Sequence, residues 1–157
     1  MKSSVVFVCT GNICRSPTAE GIFLRLVEDA GLADRIIVDS AGTHDYHVGE
    51  PPDARAVEAA ARRGYDLSGL RARKFEREDF QRFDLVLAMD HANHAVLARV
   101  AQSSAGHKLR MMMSYARRFG ETDVPDPYYG GKEDFERVLD LLEDAARGLI
   151  ETIREKM

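Results

Sequence analysis

The chain predicts a three-layer α/β fold, a four-stranded parallel sheet with helices on both faces, and three observations carry that reading. Short apolar runs alternate with stretches whose apolar residues recur at helical spacing. One run, Leu85-Val86-Leu87-Ala88, is apolar without a break, as a strand covered on both sides requires. Strands that alternate with helices in this way build parallel sheets.

Taken in order, Val5-Val6-Phe7-Val8 is the first strand, ending at Cys9. Pro17 suits the first position of a helix, and Ala19, Ile22, Phe23, Leu26, Val27 and Ala30 continue it to a stop near Gly31. Ile36-Ile37-Val38 predicts a second strand, followed by Asp39-Ser40-Ala41-Gly42-Thr43 and a polar loop from His44 to Pro52. A helix from about Asp53 to Arg63 ends at Gly64. Leu85–Ala88 is the third strand, after which Asp90 caps a helix bearing Val96, Leu97 and Val100. Leu109 to Met112 is the fourth strand, and Lys132 to Lys156 a long closing helix with Phe135, Val138, Leu139, Leu142, Ala145, Ala146, Leu149 and Ile153 on one face. Four such strands favour the flavodoxin-like order 2-1-3-4, with the ligand crevice at the carboxyl end of strand 1. Residues 1–157 are expected to form one domain, with no repeat or linker. The segment from Met113 to Lys132 has little periodicity and is too long for a mere connector, which points to a functional loop.

Composition narrows the function. Hydrophobic residues make up 45% and charged residues 31%, an ordinary globular balance. A formal net charge of -4 gives no reason to expect nucleic acid or a membrane surface as partner, so any anionic substrate needs a local positive field. The two cysteines, Cys9 and Cys14, share one loop rather than tying distant segments together. With no apolar signal region at the N-terminus, a reducing cytoplasm is the expected setting.

The stretch Cys9-Thr10-Gly11-Asn12-Ile13-Cys14-Arg15-Ser16 holds the chemistry. A strand that runs through a tight loop into a helix N-terminus makes an anion cradle of converging N–H groups. Gly11 and Asn12 tolerate the dihedrals such a loop needs. A thiol opening that cradle beside Arg15 sits where thiolates are favoured. Arg15 offers a planar fork for two phosphoryl oxygens, and Ser16 can donate to the Cys9 sulfur as well as cap the helix. Cys14 is either inert packing or a partner that traps oxidised Cys9. Cys-x5-Arg alone is a weak signal, so context has to raise it. A thiolate attacking a phosphate monoester needs an acid for the leaving oxygen. Among Glu121, Asp123 and Asp126, the last stands out because Pro127 stiffens its backbone, with Tyr128 and Tyr129 as an aromatic wall. Without Cys9 the Asp-Pro pair would read as an ordinary solvated turn.

Taken together, Cys9 to Pro17, Ala19-Glu20, Asp39 to Thr43, Met89-Asp90 and Asp126 to Tyr129 resemble the low-molecular-weight protein tyrosine phosphatases along essentially the whole chain. The resemblance implies Cys9 as nucleophile through a phosphocysteine, Arg15 as phosphate clamp and Asp126 as general acid and then base, with no metal and no cofactor. It implies loop positions Thr10, Gly11, Asn12, Ile13, Cys14 and Ser16 at the phosphate, and Asn12, Ser16 and Ser40 as support for the loop. Ile13, Tyr46, Tyr128 and Tyr129 would line an aryl slot. The implied substrate is a phosphotyrosine-containing protein or small aryl phosphate and the product inorganic phosphate. The expected state is a monomer with at most weak self-association. One departure stands out: many relatives carry a histidine where this chain has Leu70, so Asn12 must find another partner or water.

Arsenate reductases of this architecture need resolving cysteines beyond the loop, and none follows Cys14. Protein arginine phosphatases typically carry a small polar residue where Ile13 stands and lack the tyrosine pair. A non-catalytic phosphate-binding module would need the cradle but not both Cys9 and Asp126. His44/His47 and His91/His94 read as surface histidines rather than metal ligands, Met111 to Met113 as core filler, and Arg71, Arg73, Lys74 and Arg77 as a solvated basic face.

Overall fold

The computed structural model describes residues 2–101 and 104–157. Its sheet contains β1 (Ser3–Cys9), β2 (Ile36–Gly42), β3 (Leu85–Ala88) and β4 (Leu109–Met111), all parallel and ordered β2-β1-β3-β4 as predicted. The helices are α1 (Arg15–Asp29), α2 (Ala54–Arg62), the single turn α3 (Asp79–Arg82), α4 (His91–Val100) and α5 (Lys132–Glu155).

The pleat of β1 separates two cores. Val5 and Phe7 face α1, α2 and α5, with Ile22, Phe23, Leu139, Leu142 and Leu149, and Phe7 meets Phe23 edge to face. Val6 and Val8 face the other way, onto Phe75, Phe80, Phe83 and Leu97 around α3 and α4. Both faces of the central strands are therefore dry, which explains their unbroken apolar runs.

Several boundaries differ from the sequence reading, each for a physical reason. α1 starts at Arg15, two residues before Pro17, because a proline in the first turn gives up only an N–H that has no intrahelical partner. β2 runs on through Asp39 and Ser40 to Gly42, so polar residues continue a strand that hydrophobicity alone ends at Val38. Its last residue pairs with Cys9, and a Cβ on Gly42 would lie 2.7 Å from the Thr10 carbonyl and 3.2 Å from the Asn12 nitrogen. Only glycine lets the tip of β2 lie so close behind the loop. β4 stops at Met111, and Met112–Tyr115 form a short 3-10 turn whose Tyr115 carbonyl packs on Gly148 of α5.

The segment between Tyr115 and Lys132 has no helix or strand but is fastened at several points, two of them through its main-chain N–H groups. The Asp144 carboxylate of α5 accepts the N–H groups of Arg117, Arg118 and Phe119. Further on, Val124 is fully buried and its N–H donates to the Met89 carbonyl at 2.8 Å. That second tie brings Asp126 to the carboxyl end of the sheet, beside Cys9.

Candidate active site

Between β1 and α1 the chain turns on Asn12, the one non-glycine residue with positive φ (58°) among those described. Asn and Gly are the residues that pay least for this conformation. The Asn12 side chain then locks the turn. Its Nδ2 donates to Ser16 Oγ at 2.7 Å and to Ser40 Oγ at 3.0 Å, and its Oδ1 accepts the Arg73 N–H at 3.0 Å. The Arg73 main chain thus supplies what a histidine at position 70 would have offered, while Leu70 packs against the apolar core. Arg73 in turn is not a free member of a solvated basic face. Its guanidinium donates to Asp79 at 2.9 Å and to Asp39 at 3.2 Å. Burial alone would push Asp79 up, but Arg73, the Glu76 N–H and Arg82 hold it below its usual range.

Ser16 Oγ, already accepting from Asn12, lies 3.0 Å from Cys9 Sγ and can turn its hydrogen to the sulfur. The Ser16 N–H adds a donor at 3.4 Å. On the other arm Ser40 donates to Glu20 Oε1 at 2.6 Å. Glu20 is buried, and that burial pushes its carboxyl up to about 7 against the lowering effect of Ser40. Asn12 and Ser16 therefore stand behind the loop rather than in the cleft.

Arg15 is 2% exposed and its guanidinium is held by three hydrogen bonds. Nη1 donates to Asp90 Oδ2 at 2.6 Å and to the Val124 carbonyl at 3.0 Å, Nη2 reaches Thr10 Oγ1 at 3.4 Å, and Asp126 Oδ2 lies 3.7 Å from Nη2. Burial pulls the Arg15 pKa down, but Cys9, Asp90 and Asp126 outweigh it and the net shift is upward. Asp90 does more than the capping role the sequence suggests: Oδ1 caps α4 by accepting the Asn93 N–H at 2.7 Å while Oδ2 holds Arg15. The signal was its place just beyond the carboxyl end of β3, where ligand crevices of such sheets open.

The cleft over Cys9 is open, about 320 Å³, and lined by Cys9, Thr10, Gly11, Ile13, Cys14, Arg15, Tyr46, His47, Asp126, Tyr128 and Tyr129. His47 is the addition: read from sequence as a surface histidine, it lies over Gly11 and pairs with Glu50 at 3.0 Å. Tyr46 stacks on His44, ring centroids 4.9 Å apart. Asp126 accepts the Tyr128 N–H at 3.1 Å, which fixes the Asp-Pro-Tyr turn, and Arg55 donates to the Tyr128 carbonyl at 2.9 Å. Tyr129 is 95% exposed, with its ring edge-on to Tyr128. Cys9 and Cys14 are both free thiols. Burial, with Asp53 and Cys9 adding to it, pushes the Cys14 thiol well up, so Cys14 is protonated at neutral pH. Among the described residues, no group of three or more His, Cys, Asp or Glu could hold a metal ion, and no helix is long and apolar enough to cross a membrane.

The Cys9 thiol, the Arg15 guanidinium and the Asp126 carboxylate thus converge on one cleft at the carboxyl end of β1. The family model for low molecular weight phosphotyrosine protein phosphatase matches residues 4–157. A low molecular weight protein-tyrosine-phosphatase of Streptomyces coelicolor is 46% identical over 100% of this chain and 97% of its own. A protein tyrosine phosphatase from Entamoeba histolytica, solved with Hepes in its active site, superposes with a TM-score of 0.96 at 38% identity, covering 99% of each chain. Vibrio vulnificus Wzb, solved in complex with benzylphosphonate, reaches 0.83 at 28% identity over 97% of this chain and 99% of its own. On its sequence, its sheet order and the contents of this cleft, the chain belongs to the low molecular weight phosphotyrosine protein phosphatase family.

Proposed function

We propose that this enzyme hydrolyses phosphotyrosine and small aryl phosphates through a phosphocysteine intermediate on Cys9. The observation that carries the reading is the convergence of Cys9 Sγ, the buried Arg15 guanidinium and the Asp126 carboxylate on one cleft with aromatic walls. Two Ser16 donors stabilise the Cys9 sulfur as an anion, both for attack and for departure. Arg15 and the loop N–H groups take the equatorial phosphoryl oxygens, so charge that builds up in the transition state meets donors already in place.

In the first step a Cys9 sulfur lone pair forms the P–S bond and the P–O bond to the aryl group breaks. Asp126 delivers its proton to the departing phenolate oxygen. In the second step Asp126, now a carboxylate, takes a proton from water as the water oxygen attacks phosphorus. The P–S bond breaks, and inorganic phosphate and the Cys9 thiolate are released. Ile13, Tyr46, His47 and Tyr128 line the cleft over Cys9 and offer an aromatic-rich surface that suits a phenyl ring. A phosphoserine would leave those walls without an aromatic partner. The complex of Wzb with benzylphosphonate, an aryl-bearing phosphate mimic, supports an aromatic occupant.

The test is Cys9→Ser assayed on phosphotyrosine, phosphoserine and phosphoarginine peptides beside the parent enzyme. The parent should prefer phosphotyrosine. The variant should lose turnover while still binding inorganic phosphate, and turnover that survives would remove the covalent mechanism.

A further inference from the structure

We propose that the Thr10 hydroxyl is itself a phosphate-binding group, donating to a phosphoryl oxygen seated over Cys9, and that Asn93 is the positioning residue that turns it there. The proposal deepens the phosphatase reading above and rests on it.

A threonine hydroxyl has two acceptor lone pairs and one hydrogen to give. At Thr10 both lone pairs are engaged: Asn93 Nδ2 donates to Oγ1 at 3.0 Å and Arg15 Nη2 at 3.4 Å. No acceptor for the hydroxyl hydrogen is found among the described residues, and Thr10 lines the cleft. With both lone pairs taken, that hydrogen is free to go to a phosphoryl oxygen seated in the cleft. Donation from the Arg15 cation polarises the hydroxyl and makes it a stronger donor.

The unusual partner is Asn93. It is 2% exposed, and its Oδ1 is a buried acceptor with no hydrogen-bond partner among the described residues. Buried polar groups are normally satisfied, so an orphan of this kind calls for a reason. The opposite amide orientation would put Oδ1 against Thr10, draw the hydroxyl hydrogen to it and turn that hydrogen out of the cleft. The observed orientation leaves one acceptor unpaired and keeps the Thr10 donor free for an anion. Asn93 is held by its own N–H on Asp90 Oδ1, and the other oxygen of Asp90 holds Arg15. One turn at the start of α4 thus grips the guanidinium directly through Asp90 and indirectly through Asn93 and Thr10.

The experiment measures kcat/KM on an activated aryl phosphate and competitive inhibition by inorganic phosphate. Thr10→Val removes one hydrogen bond to a charged group and should lose roughly 10–100-fold in kcat/KM, with weaker phosphate inhibition. Thr10→Ala, which cannot overpack the loop, should behave alike, and Thr10→Ser should return to within about threefold of the parent because it keeps the hydroxyl. Asn93→Leu, similar in volume and without a donor or a charge, should lose several-fold yet add little in the Thr10→Val background. The proposal is overturned if Thr10→Val and Thr10→Ala both stay within about twofold of the parent, or if Asn93→Leu costs the same with and without the hydroxyl. Protection of Cys9 from iodoacetamide by inorganic phosphate gives a second readout. If the parent hydrolyses no aryl phosphate the phosphatase reading fails, while weaker protection in Thr10→Val still reports the Thr10 contact.

Discussion

The two walls of the cleft are built on opposite principles. The loop from Cys9 to Ser16 is held from behind by Asn12, Ser40 and the Arg73 main chain and from in front by Asp90, Thr10 and the Val124 carbonyl, and Arg15 is almost wholly buried. The facing segment, Asp126 to Tyr129, rests on two turn bonds and on Arg55, with the Asp126 side chain 52% exposed. A phosphoryl group has the same size and charge on every substrate, so a rigid cradle suits it. The leaving group and the peptide around it vary, and proton transfer needs access to water, so that wall stays open. Fixed chemistry is placed on the rigid scaffold and variable recognition on the loop it carries.

Substitutions on the two walls should separate these roles. The largest effect is expected at Asp126, the open wall's one chemical group. Asp126→Asn should slow phenyl phosphates with poor leaving groups by roughly 10²–10⁴-fold and activated ones far less. A flat loss across a leaving-group series would mean that Asp126 is not the proton donor. On the rigid wall, Asn12→Ala leaves two serines and the Arg73 N–H without their partner and puts a side chain with no local hydrogen bonding at positive φ. A loss of about 4 kcal/mol in urea denaturation is expected, with Asn12→Gly recovering only the backbone part.

Glu20 probes the same wall through pH. Its carboxyl is raised from 4.5 to about 7. Between those values the unfolded chain has released this proton and the folded one keeps it, so Glu20 makes stability fall as pH rises from about 4.5 to 7 and adds no slope above that. Glu20→Gln should remove this slope, worth up to about 3 kcal/mol across the window, as read from denaturation midpoints at several pH values. The smallest effect belongs to Tyr129. Tyr129→Ala should change stability by less than about 0.5 kcal/mol and raise KM for peptides more than for small aryl phosphates. A loss of stability comparable to that of Asn12→Ala would erase the contrast between the walls.

The behaviour of Leu70 shows where sequence reasoning stops. Its apolar side chain left Asn12 in need of a partner, and the partner is a main-chain N–H 61 positions away. A main-chain donor has no sequence signature, since every residue but proline carries one. Asp90 was visible as a helix cap, and the cap hid its second bond, to an arginine 75 positions earlier. His47 stands in an H-x-x-H pattern that suggests a metal, and only the fold sets it beside Tyr46 in the cleft. The strand that delivers Ser40 runs four residues beyond its apolar part, where hydrophobicity carries no signal.

By itself the sequence determined the strand–loop–helix at residues 5–30, the parallel sheet and the pairing of a loop thiol with a guanidinium. All of these follow from local periodicity and spacing, which are set within a few turns of chain. Only the tertiary structure decided what holds the loop and the guanidinium: Asp90 and Asn93 from α4, the Arg73 main chain, the Val124 carbonyl and the glycine at the tip of β2. Those contacts join segments dozens of residues apart, and hydrogen-bond geometry between them exists only once the sheet has set their positions.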